Sequence, residues 1–235
     1  MTGRILSRLG ISAVLIAIAL IGCGDNEPTQ RKAFIEFLQN RIVAKPGIHV
    51  PKLSAEESSA FGDYAKHYAV IAEFNTGLDQ QVSKPLQQAV EAGAPRSLEE
   101  AVGRRKDIAT ILGGMAAIRA ALDRQLAIAD AAHAALKQPD DLKPVYDAAY
   151  DRDVTQPAKA FAEIFPDAAG AMKDFLEFAD FVEQHHGAIR IQGSQIQVTD
   201  AALQPPLKKM IDGLSGRQEG IQKAQERLRK LAYGA

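Results

Sequence analysis

The chain has 235 residues, 28 basic and 29 acidic, for a formal net charge of −1. That balance argues against a nucleic-acid binder, which is usually basic overall. A single cysteine, Cys23, excludes an internal disulfide framework, and a composition low in aromatics with no tryptophan points to helix.

Residues 1–22 read as a lipoprotein signal peptide. Arg4 and Arg8 form a positive n-region, and Leu9 to Ile21 form an apolar h-region. At about 13 residues the run suits a secretory signal and is shorter than the ~20 residues of a spanning helix. It ends at Leu20-Ile21-Gly22-Cys23, the pattern of a bacterial lipobox. The Cys23 thiol is the nucleophile that takes a diacylglyceryl group, and the small Gly22 lets a peptidase reach the Gly22–Cys23 bond. Cys23 is therefore the expected lipidation site, with cleavage between Gly22 and Cys23. One acyl chain anchors marginally and two or more anchor stably. Residues 23–27 form a short lipidated linker and 28–235 a single helical domain. Removing the signal leaves 26 basic and 29 acidic residues, a net of −3. Gly24, not Asp, follows Cys23, which favours the periplasmic face of the outer membrane over the inner membrane.

Asn26 is placed to cap a first helix with Pro28 in its first turn. Phe34, Ile35, Leu38 and Ile42 recur at helical spacing until Lys45-Pro46-Gly47. Ser54-Ala55-Glu56-Glu57 is a capping box. It opens a long helix with Phe61, Tyr64, Tyr68, Ile71, Asn75, Leu78, Val82 and Ala89 on one seam, kinked or broken at Pro85 and closed by Gly93 and Pro95. Ser97-Leu98-Glu99-Glu100 is a second box, opening a helix expected to run to about Lys137, roughly 60 Å. Within it, Gly113-Gly114 are candidate points of close approach by a neighbour. Gln138-Pro139-Asp140-Asp141 turns the chain, with the two carboxylates read as the cap of a short helix carrying Tyr146 and Tyr150. A break is expected near Val154-Pro157, then a long helix bent at Pro166 and stopped by Gly187.

The period then changes. Ile189, Ile191, Ile196 and Val198 alternate with Arg190, Gln192, Gln195 and Gln197 around Gly193-Ser194, the pattern of a β-hairpin over about 188–198. Thr199-Asp200 caps a last helix with Leu203, Leu207, Met210, Leu214, Ile221, Leu228 and Leu231 on one face. The expected fold is all-α: an antiparallel bundle of long, partly kinked helices with one small hairpin. From Asp140 to Glu183 the net charge is −7, and from Leu207 to Leu231 it is +4. These two stretches are expected to pack side by side.

Two segments carry a family likeness. They are Gln30-Arg31-Lys32-Ala33-Phe34-Ile35-Glu36-Phe37-Leu38-Gln39-Asn40 and Ala132-His133-Ala134-Ala135-Leu136-Lys137-Gln138-Pro139-Asp140-Asp141-Leu142-Lys143-Pro144-Val145-Tyr146. The chain resembles the YiaF-like proteobacterial lipoproteins, a family described as a domain of unknown function. The resemblance implies a membrane-anchored helical lipoprotein and brings no catalytic residues with it.

No constellation for chemistry stands out from the residues. His185-His186 lacks the H-E-x-x-H spacing of a zinc site and suits a helix C-terminus. His133 reads as a core histidine, and the pairs Tyr64/Tyr68 and Tyr146/Tyr150 read as packing residues with bonded hydroxyls. Gly213-Leu214-Ser215-Gly216 is not a G-x-S-x-G elbow, and no phosphate loop is present. No catalytic, cofactor-binding or metal-ligating residue is assigned. The expectation is a non-enzymatic lipoprotein tethered to the membrane and acting on an envelope protein partner. The alternative is a carrier or sensor holding an apolar ligand between kinked helices.

Overall fold

The computed structural model describes residues 26–93 and 97–234. It is an all-α bundle with one small antiparallel hairpin. Helix α1 (Glu27–Leu38) has Pro28 in its first turn. The Asn26 side chain makes no capping bond, contrary to expectation; its carbonyl accepts from the Gln30 N–H at 2.9 Å. A π turn, Gln39–Val43, continues α1 to an irregular segment.

The Ser54 box forms as expected. Ser54 Oγ accepts from Glu57 N–H at 3.1 Å, and the Glu57 carboxylate accepts from Ser54 N–H at 2.8 Å. The helix it opens is divided, however. Helix α2 (Ala55–Phe61) ends at Gly62, whose φ of 55° side-chain-bearing residues rarely adopt. Helix α3 (Tyr64–Leu78) then passes through a π turn, Asp79–Ser83, into α4 (Lys84–Gly93). The second expected helix is also divided. Ser97 Oγ caps α5 (Leu98–Gly103) through Glu100 N–H at 3.1 Å, and α6 (Arg105–Ala135) follows a break at Arg104. At 31 residues α6 is about 46 Å long. Among the described residues no neighbour comes within 4 Å of a Cβ built at Gly113 or Gly114, so the expected close contact is not found there.

The prolines do not break the helices where breaks were expected. A proline withholds its N–H from the carbonyl four residues earlier and its ring crowds that carbonyl. Pro85 follows the π turn 79–83, whose wider turn takes up the misfit. The same occurs between α7 (Lys143–Tyr150) and α8 (Gln156–Gln184), joined by the π turn Asp151–Thr155 just before Pro157. The carbonyls that lose a donor find one on another helix. Asp153 O, opposite Pro157, accepts from Asn75 Nδ2 of α3 at 2.9 Å. Ala162 O, opposite Pro166, accepts from Arg119 Nη1 of α6 at 3.1 Å. Two helix defects thus become two cross-helix ties that set α3 and α6 against the α7–α8 rod.

The hairpin pairs β1 (Ile189–Gln192) with β2 (Gln195–Val198), Ile189 opposite Val198. Ile189 is buried and Ile191, Ile196 and Val198 are half-buried, while the four polar residues are exposed. A two-stranded ribbon is marginal alone. This one lies on a small apolar cluster of Phe178, Val182 and Leu207, and Glu99 of α5 grips its turn through Gly193, N–H to O at 3.0 Å and carboxylate to N–H at 2.8 Å. Asp200 then caps a 3₁₀ turn, Ala201–Leu203, leading into α9 (Gln204–Tyr233). The larger core lies between α1, α3, α6 and α7, around Phe34, Leu38, Ile71, Leu122 and Tyr146. No helix among the described residues is long and apolar enough to cross a membrane.

The charge reading is met by α8 and α9. Arg217 reaches Asp174 at 3.1 Å and Asp167 at 3.6 Å, and Arg227 pairs with Glu163. Small residues admit these pairs: Arg217 lies over Gly170, and Asp167 lies over Gly220, where an added Cβ would come within 2.8 Å and 2.5 Å. Reversing Arg217 and Arg227 together to Glu is expected to lower the melting temperature by several degrees at low salt. The loss should be smaller at about 1 M salt, where screening acts within about 3 Å. Thermal unfolding of variant and wild type compared within each salt checks this. A second outcome follows from the orphaned carbonyl: Asn75→Ala should destabilise by about 1–3 kcal/mol, the cost of an unmet buried acceptor, measured by denaturant unfolding.

Candidate functional site

Gly22 and Cys23, the expected cleavage and lipidation residues, lie outside the described residues. The described chain starts at Asn26, so α1 begins four residues after Cys23 in sequence. The start of α1 is built into the body at once. The Tyr64 hydroxyl donates to the Glu27 carboxylate, and Arg31 pairs with Asp141 at 3.2 Å. Asp140-Asp141 therefore does not cap α7, which has no side-chain cap; Asp141 serves the α1–α7 contact instead.

The residues singled out as packing groups are such. Phe34 stacks on Tyr64 with centroids 5.8 Å apart, and Phe37 meets Tyr68 edge-on at 5.1 Å. Every tyrosine of the two pairs has its hydroxyl bonded: Tyr68 donates to Pro51 O, Tyr146 to His67 O and Tyr150 to Asp130 Oδ1, each at 2.7 Å. Burial, then the Glu27 carboxylate, pushes the Tyr64 hydroxyl up to about 12. Burial raises Tyr68, Tyr146 and Tyr150 as well, so these phenols stay protonated donors. His133 lies against Tyr150 with centroids 4.1 Å apart, and its Nε2 meets Asp147 Oδ1 at 2.8 Å.

The remaining candidates sit in structural roles. His185 Nδ1 lies 2.8 Å from Phe181 O and His186 Nδ1 3.0 Å from Glu183 O, so both rings close the end of α8. Ser215 Oγ donates to Ile211 O at 3.0 Å within α9. The described residues contain no group of three or more His, Cys, Asp or Glu side chains placed to hold a metal ion.

One residue passed over in the sequence is the most unusual polar group in the fold. Asp153, in the π turn before α8, is fully buried. Its Oδ1 accepts from His49 N–H at 3.3 Å, while Oδ2 has no hydrogen-bond partner among the described residues. Burial raises this carboxyl to about 7, against the opposing pull of the His49 N–H and the Arg152 charge. Leu142, Tyr146, Ala149 and Asp153 are spaced four, three and four apart, which marks the position as a core one. Nearby, Val50–Leu53 and the face of α3 carrying Tyr68, Ala72 and Asn75 line an open groove of about 520 Å³.

Comparison with known proteins agrees with the family likeness. Residues 11–229 match the family model described as "Protein of unknown function (DUF3053)". The chain is 30% identical over 226 residues to the "Uncharacterized protein YiaF" of Escherichia coli K12, covering 95% of each chain. The Shigella flexneri protein of the same description matches to the same extent. No solved structure matches. With the family model spanning nearly all of the sequence, the chain belongs to the DUF3053 family of proteins of unknown function.

Proposed function

We propose that the protein is a lipoprotein tethered to the membrane at Cys23, facing the periplasm and acting without catalysis through contacts with an envelope protein. The observation that carries this reading is the apolar run ending at Leu20-Ile21-Gly22-Cys23. The three residues between Cys23 and α1 support it, since a fold that begins so soon after an acylated residue is held close to the bilayer. His185, His186 and Ser215, set aside as chemical groups in the sequence, bond helix carbonyls. The hairpin stands beside α5, at the opposite end of the ~46 Å α6 from the α1–α7 contact, and is the part best placed to meet a partner away from the membrane.

The groove beside α3 favours a second reading, a carrier or sensor for an apolar ligand. It opens to solvent along one side of α3 and does not lie between kinked helices.

Two experiments separate these readings. Cys23→Ser lacks the acyl-accepting thiol, so it should accumulate as an uncleaved precursor on immunoblots. Wild type should be shorter and run with outer-membrane markers in a density gradient. Mature-sized product from the variant, or wild type confined to inner-membrane fractions, would count against the anchor or its sorting. For the second reading, Ala69→Trp fills the groove. If the groove is a ligand site, this substitution should abolish fluorescence enhancement of a naphthylamine probe by the wild-type protein. The proposed non-carrier role expects no saturable enhancement with either protein.

A further inference from the structure

The segment Ala44–Leu53, between α1 and α2, has no helix or strand of its own. It lies across the body as a strap, and one π turn holds most of it. Arg152 Nε donates to Gly47 O at 3.1 Å and its Nη2 donates to Lys45 O. Asp153 accepts from His49 N–H, and the Tyr68 hydroxyl takes Pro51 O. At Gly47, φ is 74° and a Cβ would lie 2.4 Å from Ala232 O, so the end of α9 closes on the same strap. Beyond His49, the strap forms one wall of the groove beside α3.

We propose that Asp153 is a proton-controlled latch on this strap: protonated, it stays sealed beneath the strap, and ionised, it admits water and loosens residues 48–53, widening the groove.

A protonated carboxyl costs the site less than an ionised one. One oxygen accepts from His49, and the neutral group tolerates the dry surroundings. An ionised carboxyl does not suit it. The groups that face Asp153 are few: the Arg152 guanidinium on its own turn, the Tyr68 hydroxyl on α3, and from the strap the backbone N–H of His49. The His49 side chain is exposed. None of these bonds Oδ2. A carboxylate oxygen left without a donor is relieved most cheaply by water, and the least costly opening is the element with fewest ties. That element is the strap: α3, α7 and α8 would each have to break a helical ladder, whereas residues 48–53 have no ladder and are held by single bonds from Asp153 and Tyr68 and by the half-buried Val50 and Leu53. Burial puts the transition near neutrality, at about 7. Below that pH the latch is shut, and as pH rises through it the latch opens. Because the unfolded carboxyl ionises near 4, stability falls as pH rises from about 4 and levels off above about 7.

Amide hydrogen exchange on the full-length mature lipoprotein in detergent tests this, with rates corrected for their intrinsic pH dependence. Between about pH 5.5 and about pH 8, protection of residues 48–53 should fall about thirtyfold, as the ionised fraction rises from about 0.03 to about 0.9 around a midpoint of about 7. Protection in the middle of α6 should not change. In Asp153→Asn, which keeps an oxygen for His49 but cannot ionise, the strap should show the same protection at both pH values. Equal strap protection in wild type at both pH values would overturn the proposal, whatever the variant does. So would an equal fall in Asp153→Asn, or a fall shared by α6, which would report global loosening.

Discussion

Pro157 withholds a backbone donor from Asp153, and much of the arrangement around it follows from that one defect. The chain answers it by widening the helix into a π turn and by letting Asn75 of α3 supply the missing hydrogen bond at 2.9 Å. The consequence reaches further than one carbonyl. Because the helix is not broken, α7 and α8 continue one another, and the adjacent side chains Arg152 and Asp153 both engage the strap at residues 45–49. The same logic at Pro166, whose orphaned Ala162 carbonyl is met by Arg119, fixes α6 against α8. Prolines in long helices are usually a cost; here Pro157 and Pro166 each free a carbonyl that a neighbouring helix serves.

Away from these ties, the second half of the molecule relies on charge and on a small apolar cluster. Helix α9 buries Leu207 and leaves the rest of its expected apolar face half-buried. Its attachment to α8 is correspondingly polar, through Arg217 and Arg227. Surface pairs of this kind contribute little one at a time and weaken with salt. The α1–α3–α6–α7 half is different: its aromatic cluster is buried and its phenols are raised by burial and bonded within the fold. The half that follows the Cys23 linker is thus the apolar-packed one, and the half carrying the hairpin is the electrostatic one.

What could be read from the sequence was what depends on a few neighbouring residues. The capping boxes at Ser54 and Ser97 and the period-two hairpin are local patterns with local causes, and both boxes place Ser Oγ on the expected N–H. The α8–α9 pairing was visible because charge of one sign accumulates over whole helices. The helix breaks are not legible locally, for a physical reason. A proline's clash is written in the sequence, but its relief lies in Asn75 and Arg119, 78 and 43 residues from the carbonyls they serve. Conversely, Gly62 and Arg104 end helices that the apolar spacing would have continued. Asp153 stood on the core seam with Leu142, Tyr146 and Ala149, yet a carboxylate at a core position reads as polar surface until its burial is seen. Cys23, the most informative residue of the sequence, lies outside the described residues.

The latch requires that the carboxyl buried in the π turn before Pro157 hold its proton to near neutrality. The carbon-13 shift of the Asp153 carboxyl, assigned by comparison with Asp153→Asn and followed through a pH titration of the folded protein, reports its protonation directly. A midpoint near 7 is the predicted result. A midpoint near the ordinary aspartate value of about 4 would mean that water or another donor already reaches Oδ2, and would contradict it.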